Sequence, residues 1–166
     1  MVIKHRKQNR LKGFDYSKNG YYFVTICTNK RRCEFGTVKN EIMTLNHYGK
    51  IVEKCYEDLI NHYSNCVLDE FIIMPNHIHG IIIIQNINQH VGNGLKPFPT
   101  KYSISEMIRG LKTFSSRRIH ESGLISFKWQ KSFYDHIIRT EYSLYSIRQY
   151  IRDNPINWNE DRNNLG

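Results

Sequence analysis

The run Phe71-Ile-Ile-Met-Pro-Asn-His-Ile-His-Gly-Ile-Ile-Ile-Ile84 constrains this chain more than any other stretch of it. Isoleucine and phenylalanine suit a pleated, buried surface, and Pro75-Asn76 is a turn signal, so Val67–Met74 and Ile78–Gln85 are expected as antiparallel neighbours in the middle of a sheet. Side chains alternate across a strand, which puts His77 and His79 on one face together with Ile81 and Ile83. Two neutral imidazoles side by side form two adjoining corners of a metal site, although a strand can also hold two histidines for packing. Burying both without partners is costly, so a third ligand or an anion is expected nearby.

The surrounding chain alternates strands and helices. Gly20–Thr28 (GYYFVTICT) is rich in β-branched and aromatic residues and reads as the first strand. Glu34–Leu45 has the pattern of a polar hairpin. Asn46 can cap a helix running to about Tyr63, with Ile51, Cys55, Leu59 and Tyr63 recurring every four residues. Asn86–Thr100 holds Asn, Gly and Pro in the proportion of a long loop. Ser103-Ile-Ser-Glu106 matches a capping box ahead of Ile104, Met107, Ile108, Leu111 and Phe114. Phe127–Arg139 is expected as another strand, and Thr140 as the cap of a last helix through Leu144, Ile147 and Ile151, which Pro155 stops. This order predicts one α+β domain over residues 1–166, with helices packed on an antiparallel sheet. A basic arm (1–14) precedes it, and its C-terminal helix covers about 140–154.

Composition narrows the partners. In 166 residues, Lys and Arg outnumber Asp and Glu by 24 to 15, a formal charge of +9, which favours a polyanion such as nucleic acid as partner. Four cysteines without C-x-x-C spacing, and no apolar segment after the basic N-terminus, point to free thiols in a reducing cytoplasm. The apolar stretch Ile81–Ile84 falls far short of the roughly 20 residues of a membrane span, so a soluble protein without a membrane partner is expected.

In the last helix Tyr150 and Asn154 are four residues apart and share a face. Were that face to lie over the histidines, the Asn154 oxygen could reach a hard divalent cation while Tyr150 reached a phosphate polarised by it. A tyrosine beside an apolar stripe also serves as an ordinary core or rim residue.

Four segments in order resemble the REP-associated tyrosine transposases, relatives of the small insertion-sequence transposases within the HUH endonuclease superfamily: DYSKNGYYFVTICT (Asp15–Thr28), MPNHIHGIII (Met74–Ile83), WQKSFYDHIIR (Trp129–Arg139) and YIRDNP (Tyr150–Pro155). The resemblance implies a ferredoxin-like sheet, close to that of RNA-recognition modules, with the histidines on a central strand. It implies His77, His79 and Asn154 as ligands of Mg²⁺ or Mn²⁺ and Tyr150 as the catalytic tyrosine. The implied reaction is attack of that tyrosine on single-stranded DNA beside a hairpin, giving a 5′-phosphotyrosine and a 3′-hydroxyl, followed by strand transfer. On this resemblance the protein acts in the cytoplasm, on the nucleoid when bound to DNA, and as a monomer, with a dimer as the alternative. Arg6, Lys7, Arg10, Lys12, Arg117, Arg118, Lys128 and Lys131 are candidate phosphate contacts, and Phe133 and Tyr134 either stack on unpaired bases or belong to the core. Two other functions fit the same residues: a silent module that grips hairpin DNA, and a hydrolase whose histidines activate water. Many relatives continue further past the position of Pro155, which leaves the role of that tail open here.

Overall fold

The computed structural model describes residues 13–86 and 101–164. Arg6, Lys7, Arg10 and Lys12 of the basic arm lie outside the described residues. Among the described residues, six strands and four α-helices follow in order: β1 (Gly20–Cys27), β2 (Gly36–Lys39), β3 (Ile42–Leu45), α1 (His47–Glu57), α2 (Leu59–His62), β4 (Cys66–Ile73), β5 (His77–Ile84), α3 (Ile104–Glu121), β6 (Tyr134–Ile138) and α4 (Glu141–Arg152). The main sheet has the order β4-β5-β1-β6 and every pairing in it is antiparallel. With α1 crossing from β1 to β4 and α3 from β5 to β6, this is the ferredoxin-like α+β arrangement, and β5 is an interior strand. The β2–β3 hairpin is an insertion between β1 and α1.

Period-two alternation divides the sheet between two layers. Tyr22, Val24, Ile26, Ile78, Ile82 and Ile84 face one way, into a core completed by Val52, Cys55, Tyr56 and Leu59 and by Met107, Ile108 and Leu111. Phe23, Ile81, Ile83 and Ile138 face the other way, where Ile151 packs on them with Leu144 and Ile147 at its flank. Burial of α4's apolar stripe therefore takes place on the second face. Asn46 caps α1 by accepting from Gly49 N, Ser103 and Glu106 form the full capping box of α3, and Thr140 caps α4.

The structure departs from two sequence expectations. The helix expected from Asn46 to about Tyr63 breaks at Asp58, whose N–H donates to Lys54 O at the end of α1 and which precedes the short α2. The strand expected over Phe127–Arg139 is strand only from Tyr134 to Ile138. Ahead of it the chain makes a single bridge, Thr28 with Trp129, and a bend in which Lys112 Nζ donates to the carbonyls of Gln130 and Ser132, both at 2.9 Å. Carbonyls engaged by an ammonium are not available to a ladder, and this ends the strand pairing there.

Between Leu68 and Phe71 the β4–β5 register shifts, a bulge that re-aims the side chains of Asp69 and Glu70. Arg148 of α4 grips Asp69 with two bonds, Nε to Oδ1 at 2.9 Å and Nη2 to Oδ2 at 2.5 Å, and Arg152, one helical turn on, pairs with Glu70. These contacts set where α4 lies along the sheet.

Of the four free cysteines, Cys27, Cys55 and Cys66 are buried and Cys33 is exposed. Among the described residues no helix is long and apolar enough to cross a membrane.

In the layer opposite α4, Gly80 is approached very closely by a neighbouring side chain. A Cβ at Gly80 would lie 2.1 Å from Tyr56 Oη, and Tyr56 is itself fully buried and stacked on Phe71. Gly80→Ala is expected to lower stability by about 1–3 kcal/mol, read as a shifted denaturant midpoint, whereas Gly123→Ala, with open space around it but φ +104°, is expected to show only backbone strain.

Candidate active site

His77 and His79 are both fully buried, on the α4 face of β5, with ring centroids 4.4 Å apart. Each ring is oriented through Nδ1. Asn76 donates its Nδ2 to two carbonyls, Arg31 O at 3.0 Å and Asn163 O at 2.8 Å. Because carbonyls can only accept, the amide orientation is settled and Asn76 Oδ1 faces His77 Nδ1 at 2.7 Å as an acceptor. His77 is thus protonated on Nδ1 and presents a bare Nε2. His79 Nδ1 lies 2.9 Å from Thr25 Oγ1, and its Nε2 lies 3.2 Å from the hydroxyl of Tyr150. With Nδ1 donating to Thr25 Oγ1, Nε2 is left to accept from the phenol.

Burial keeps both rings neutral. It pushes His77 down to about 4, against an opposing pull from Asp161, and pushes His79 well below the usual histidine range, with His77 adding to the effect. Neutral imidazoles side by side on one strand face are of the kind that ligate metal ions.

The segment after Pro155 turns back over this face. Trp158 stacks on His77 with centroids 6.0 Å apart. Asp161 Oδ2 comes to 3.7 Å from His77 Nε2, and the ligand atoms of His77, His79 and Asp161 all lie within 4.8 Å of one another. The side chain of Asn154 bears on both His77 and Tyr150. Three of these buried atoms have no hydrogen-bond partner: His77 Nε2, Asn154 Oδ1 and Asp161 Oδ2. All three accept and none donates. A buried cluster of acceptors without a donor is costly unless a cation satisfies it, and two imidazole nitrogens with a carboxylate and a carboxamide oxygen suit a divalent ion.

The last helix, α4, brings Tyr150 against the histidines. Tyr150 is 42% exposed, half in the site and half in solvent. Burial, followed by Asp161, raises its pKa above the ordinary tyrosine value, so the phenol is protonated at neutral pH. Tyr142 and Tyr145 point outward at 82% and 67% exposure, which separates Tyr150 from the other tyrosines of α4.

His77, His79, Tyr150 and Asn154 are thus brought together on one face of the sheet. Asp161, Asn76 and Thr25 join them without having been predicted. Asp161 sits in a polar stretch, WNEDRNN, with no periodicity to betray a burial, while Asn76 reads as a turn residue and Thr25 as an ordinary strand residue. The basic candidates scatter: Arg117 and Arg118 sit on α3 in the layer away from the histidines, paired with Glu121 and Asp58, whereas Lys128 and Lys131 are exposed on the bend before β6.

Removing a partner that orients a ligating histidine commonly lowers metal affinity by about 10–100-fold. Asn76→Ala is accordingly expected to weaken Mn²⁺ binding in calorimetric titration by that order. Asp161→Asn, which retains shape but removes the charge, is expected to weaken it as well, without a comparable loss of thermal stability in metal-free buffer.

No family model matches the sequence. A Haemophilus influenzae protein described as "Uncharacterized protein" is 37% identical over 168 residues, covering 96% of this chain and 93% of the relative. A second protein of that organism, named "Putative REP-associated tyrosine transposase", is 24% identical over 144 residues, covering 86% of this chain and 73% of its own length. A solved structure of a REP-associated tyrosine transposase bound to a REP hairpin superposes with a TM-score of 0.61 at 19% identity, over 90% of this chain and 74% of that one. The chain thus shares a family with the first of these Haemophilus influenzae proteins, is similar in sequence to the second, and has the fold of the solved REP-associated tyrosine transposase.

Proposed function

We propose that this protein is a metal-dependent single-strand DNA endonuclease and strand-transferase that acts beside hairpin DNA through a covalent tyrosine intermediate. The observation that carries the reading is the meeting of Tyr150 with His79 at 3.2 Å beside a buried set of acceptors suited to a cation. His77, His79, Asp161 and Asn154 would hold the ion, Mg²⁺ or Mn²⁺, and the mixed nitrogen and oxygen donors favour Mn²⁺ in affinity. When bound, the ion polarises the scissile phosphate and offsets the charge developing on it.

The protein's own residues do the rest. Tyr150 Oη attacks phosphorus, the bond to the 3′ oxygen breaks, the phenolic proton passes to solvent at the exposed edge of the ring, and the departing 3′ oxygen is protonated. A 5′-phosphotyrosine and a free 3′-hydroxyl result. A tyrosine is a weak nucleophile at neutral pH, and a raised pKa makes it weaker still until a cation offsets that shift, so cleavage depends on metal. The phosphotyrosine preserves the energy of the broken bond, and a different 3′-hydroxyl can therefore reverse the step and join strands. The known complex of a similar fold with a REP hairpin supports hairpin DNA as the substrate class.

Asp161 beside His77 also supplies a carboxylate of the kind a water-activating hydrolase would need, and the same experiment separates the two chemistries. Hairpin DNA with single-stranded flanks is incubated with protein and Mn²⁺ and run on a denaturing gel. Wild type is expected to give a protein–DNA adduct, and Tyr150→Phe to lose both adduct and cleavage by at least about 10³-fold. Cleavage that survives Tyr150→Phe without an adduct would establish the hydrolase, and binding without cleavage by wild type would establish a silent binding module.

A further inference from the structure

Next to the acceptor cluster lies a region of opposite character. A cleft of about 220 Å³ opens between the ends of β1 and β6 and the returning C-terminal segment, and Thr25, Arg31, Tyr134, Arg162 and Asn163 help line it. Among the described residues lining it, none is acidic. Asn163 is 2% exposed, and its Nδ2 has no hydrogen-bond partner, so a buried donor faces an uncompensated cost. Where the histidine site has acceptors in want of a cation, this cleft has donors in want of an acceptor.

Its walls are held firmly. Lys30 and Arg31 adopt left-handed backbone, φ 55° and 53°, a conformation that non-glycine residues hold only where surrounding contacts impose it. Those contacts are present: Thr28 Oγ1 donates to Arg32 O at 2.8 Å, Asn76 Nδ2 to Arg31 O, and Arg31 Nη1 to Arg162 O. On the opposite wall Lys112 occupies the carbonyls of Gln130 and Ser132, which removes backbone acceptors from that side. Tyr134 remains 42% exposed, with the Arg162 guanidinium carbon 5.9 Å from its ring centroid. Thr25 belongs both to the cleft and to the orientation of His79, so whatever fills the cleft adjoins the reacting phosphate.

We propose that this cleft seats one unpaired nucleotide of the strand being cut, its base against Tyr134 and its phosphate among Arg31, Arg162 and the free amide of Asn163. The inference rests on the nuclease reading above and adds a place where the single strand is gripped. A guanidinium beside an aromatic ring suits a base and phosphate taken together, since stacking needs an unpaired base and the charge pairs with its phosphate. Paired DNA offers no base face to Tyr134, so the grip selects single strand without requiring a particular sequence.

Two fluorescein-labelled DNAs test this in EDTA: a blunt hairpin, and the same hairpin with single-stranded flanks on both sides. Tyr134→Leu and Arg162→Ala are each expected to weaken binding of the flanked DNA about tenfold and to leave the blunt hairpin unchanged, while Arg162→Lys recovers part of the loss. Circular dichroism melts matching wild type confirm that the variants are folded. With 5-iodouracil placed in turn along the flanks, photo-crosslinks are expected on Tyr134 or Phe133 from a position adjoining the cleaved bond. Equal loss for both DNAs, or crosslinks confined to other parts of the protein while the covalent adduct still forms, overturns the subsite and leaves the nuclease reading standing. Failure of wild type to form any adduct overturns that reading, and with it a subsite defined by the cut strand.

Discussion

The alternation of β5 between two layers is the constraint on which the rest of the molecule depends. Ile78, Ile82 and Ile84 anchor the strand in the core beneath α1 and α3, and the same geometry delivers His77 and His79 to the opposite face, where Ile81 and Ile83 receive α4. Apolar burial by three isoleucines contributes on the order of several kcal/mol, enough to hold two costly buried imidazoles in place. The site is therefore a consequence of the core, because a slip of one residue in this strand's register would move both histidines to the wrong face.

A second level of control acts on Tyr150. The apolar stripe of α4 fixes which face it buries, but Leu144, Ile147 and Ile151 could slide over the isoleucines beneath them. The bulge in β4 limits this by presenting Asp69 and Glu70 to Arg148 and Arg152, four residues apart on the helix. Asp69, held by Arg148, has a carboxyl below the usual carboxylate range, so the clamp stays charged through neutral pH. Tyr150 sits between the two arginines in sequence and reaches His79 from the position they set. The C-terminal return completes the enclosure: Trp158 covers His77, Asp161 faces its Nε2, and Asn163 ties back to Asn76.

What was legible in the sequence and what was not follow from the range of the interactions concerned. Alternation and helical spacing are local, so the histidine face, the three caps and the pairing of Tyr150 with Asn154 could be read directly. Asp161 could not, because its placement depends on a turn after Pro155 and on the bonds by which Asn76 and Arg31, more than eighty residues upstream, hold Asn163 O and Arg162 O. The strand before β6 failed for the same reason: its alternating pattern competes with Lys112, which lies in the preceding helix. The clamp left a trace that could have been followed, two acids inside the apolar run Val67–Met74 and two arginines at i and i+4 on the last helix, neither of which the local pattern explains.

The central claim is that one cation meets His77, His79 and Asp161 within reach of Tyr150. Anomalous diffraction at the manganese edge from crystals soaked in Mn²⁺ tests this most directly. The account predicts a single strong peak bonded to both Nε2 atoms and to the Asp161 carboxylate, with the Tyr150 hydroxyl released from His79 and still facing the ion. A peak bound elsewhere, or one at the histidines with α4 swung away so that Tyr150 faces solvent, would contradict it.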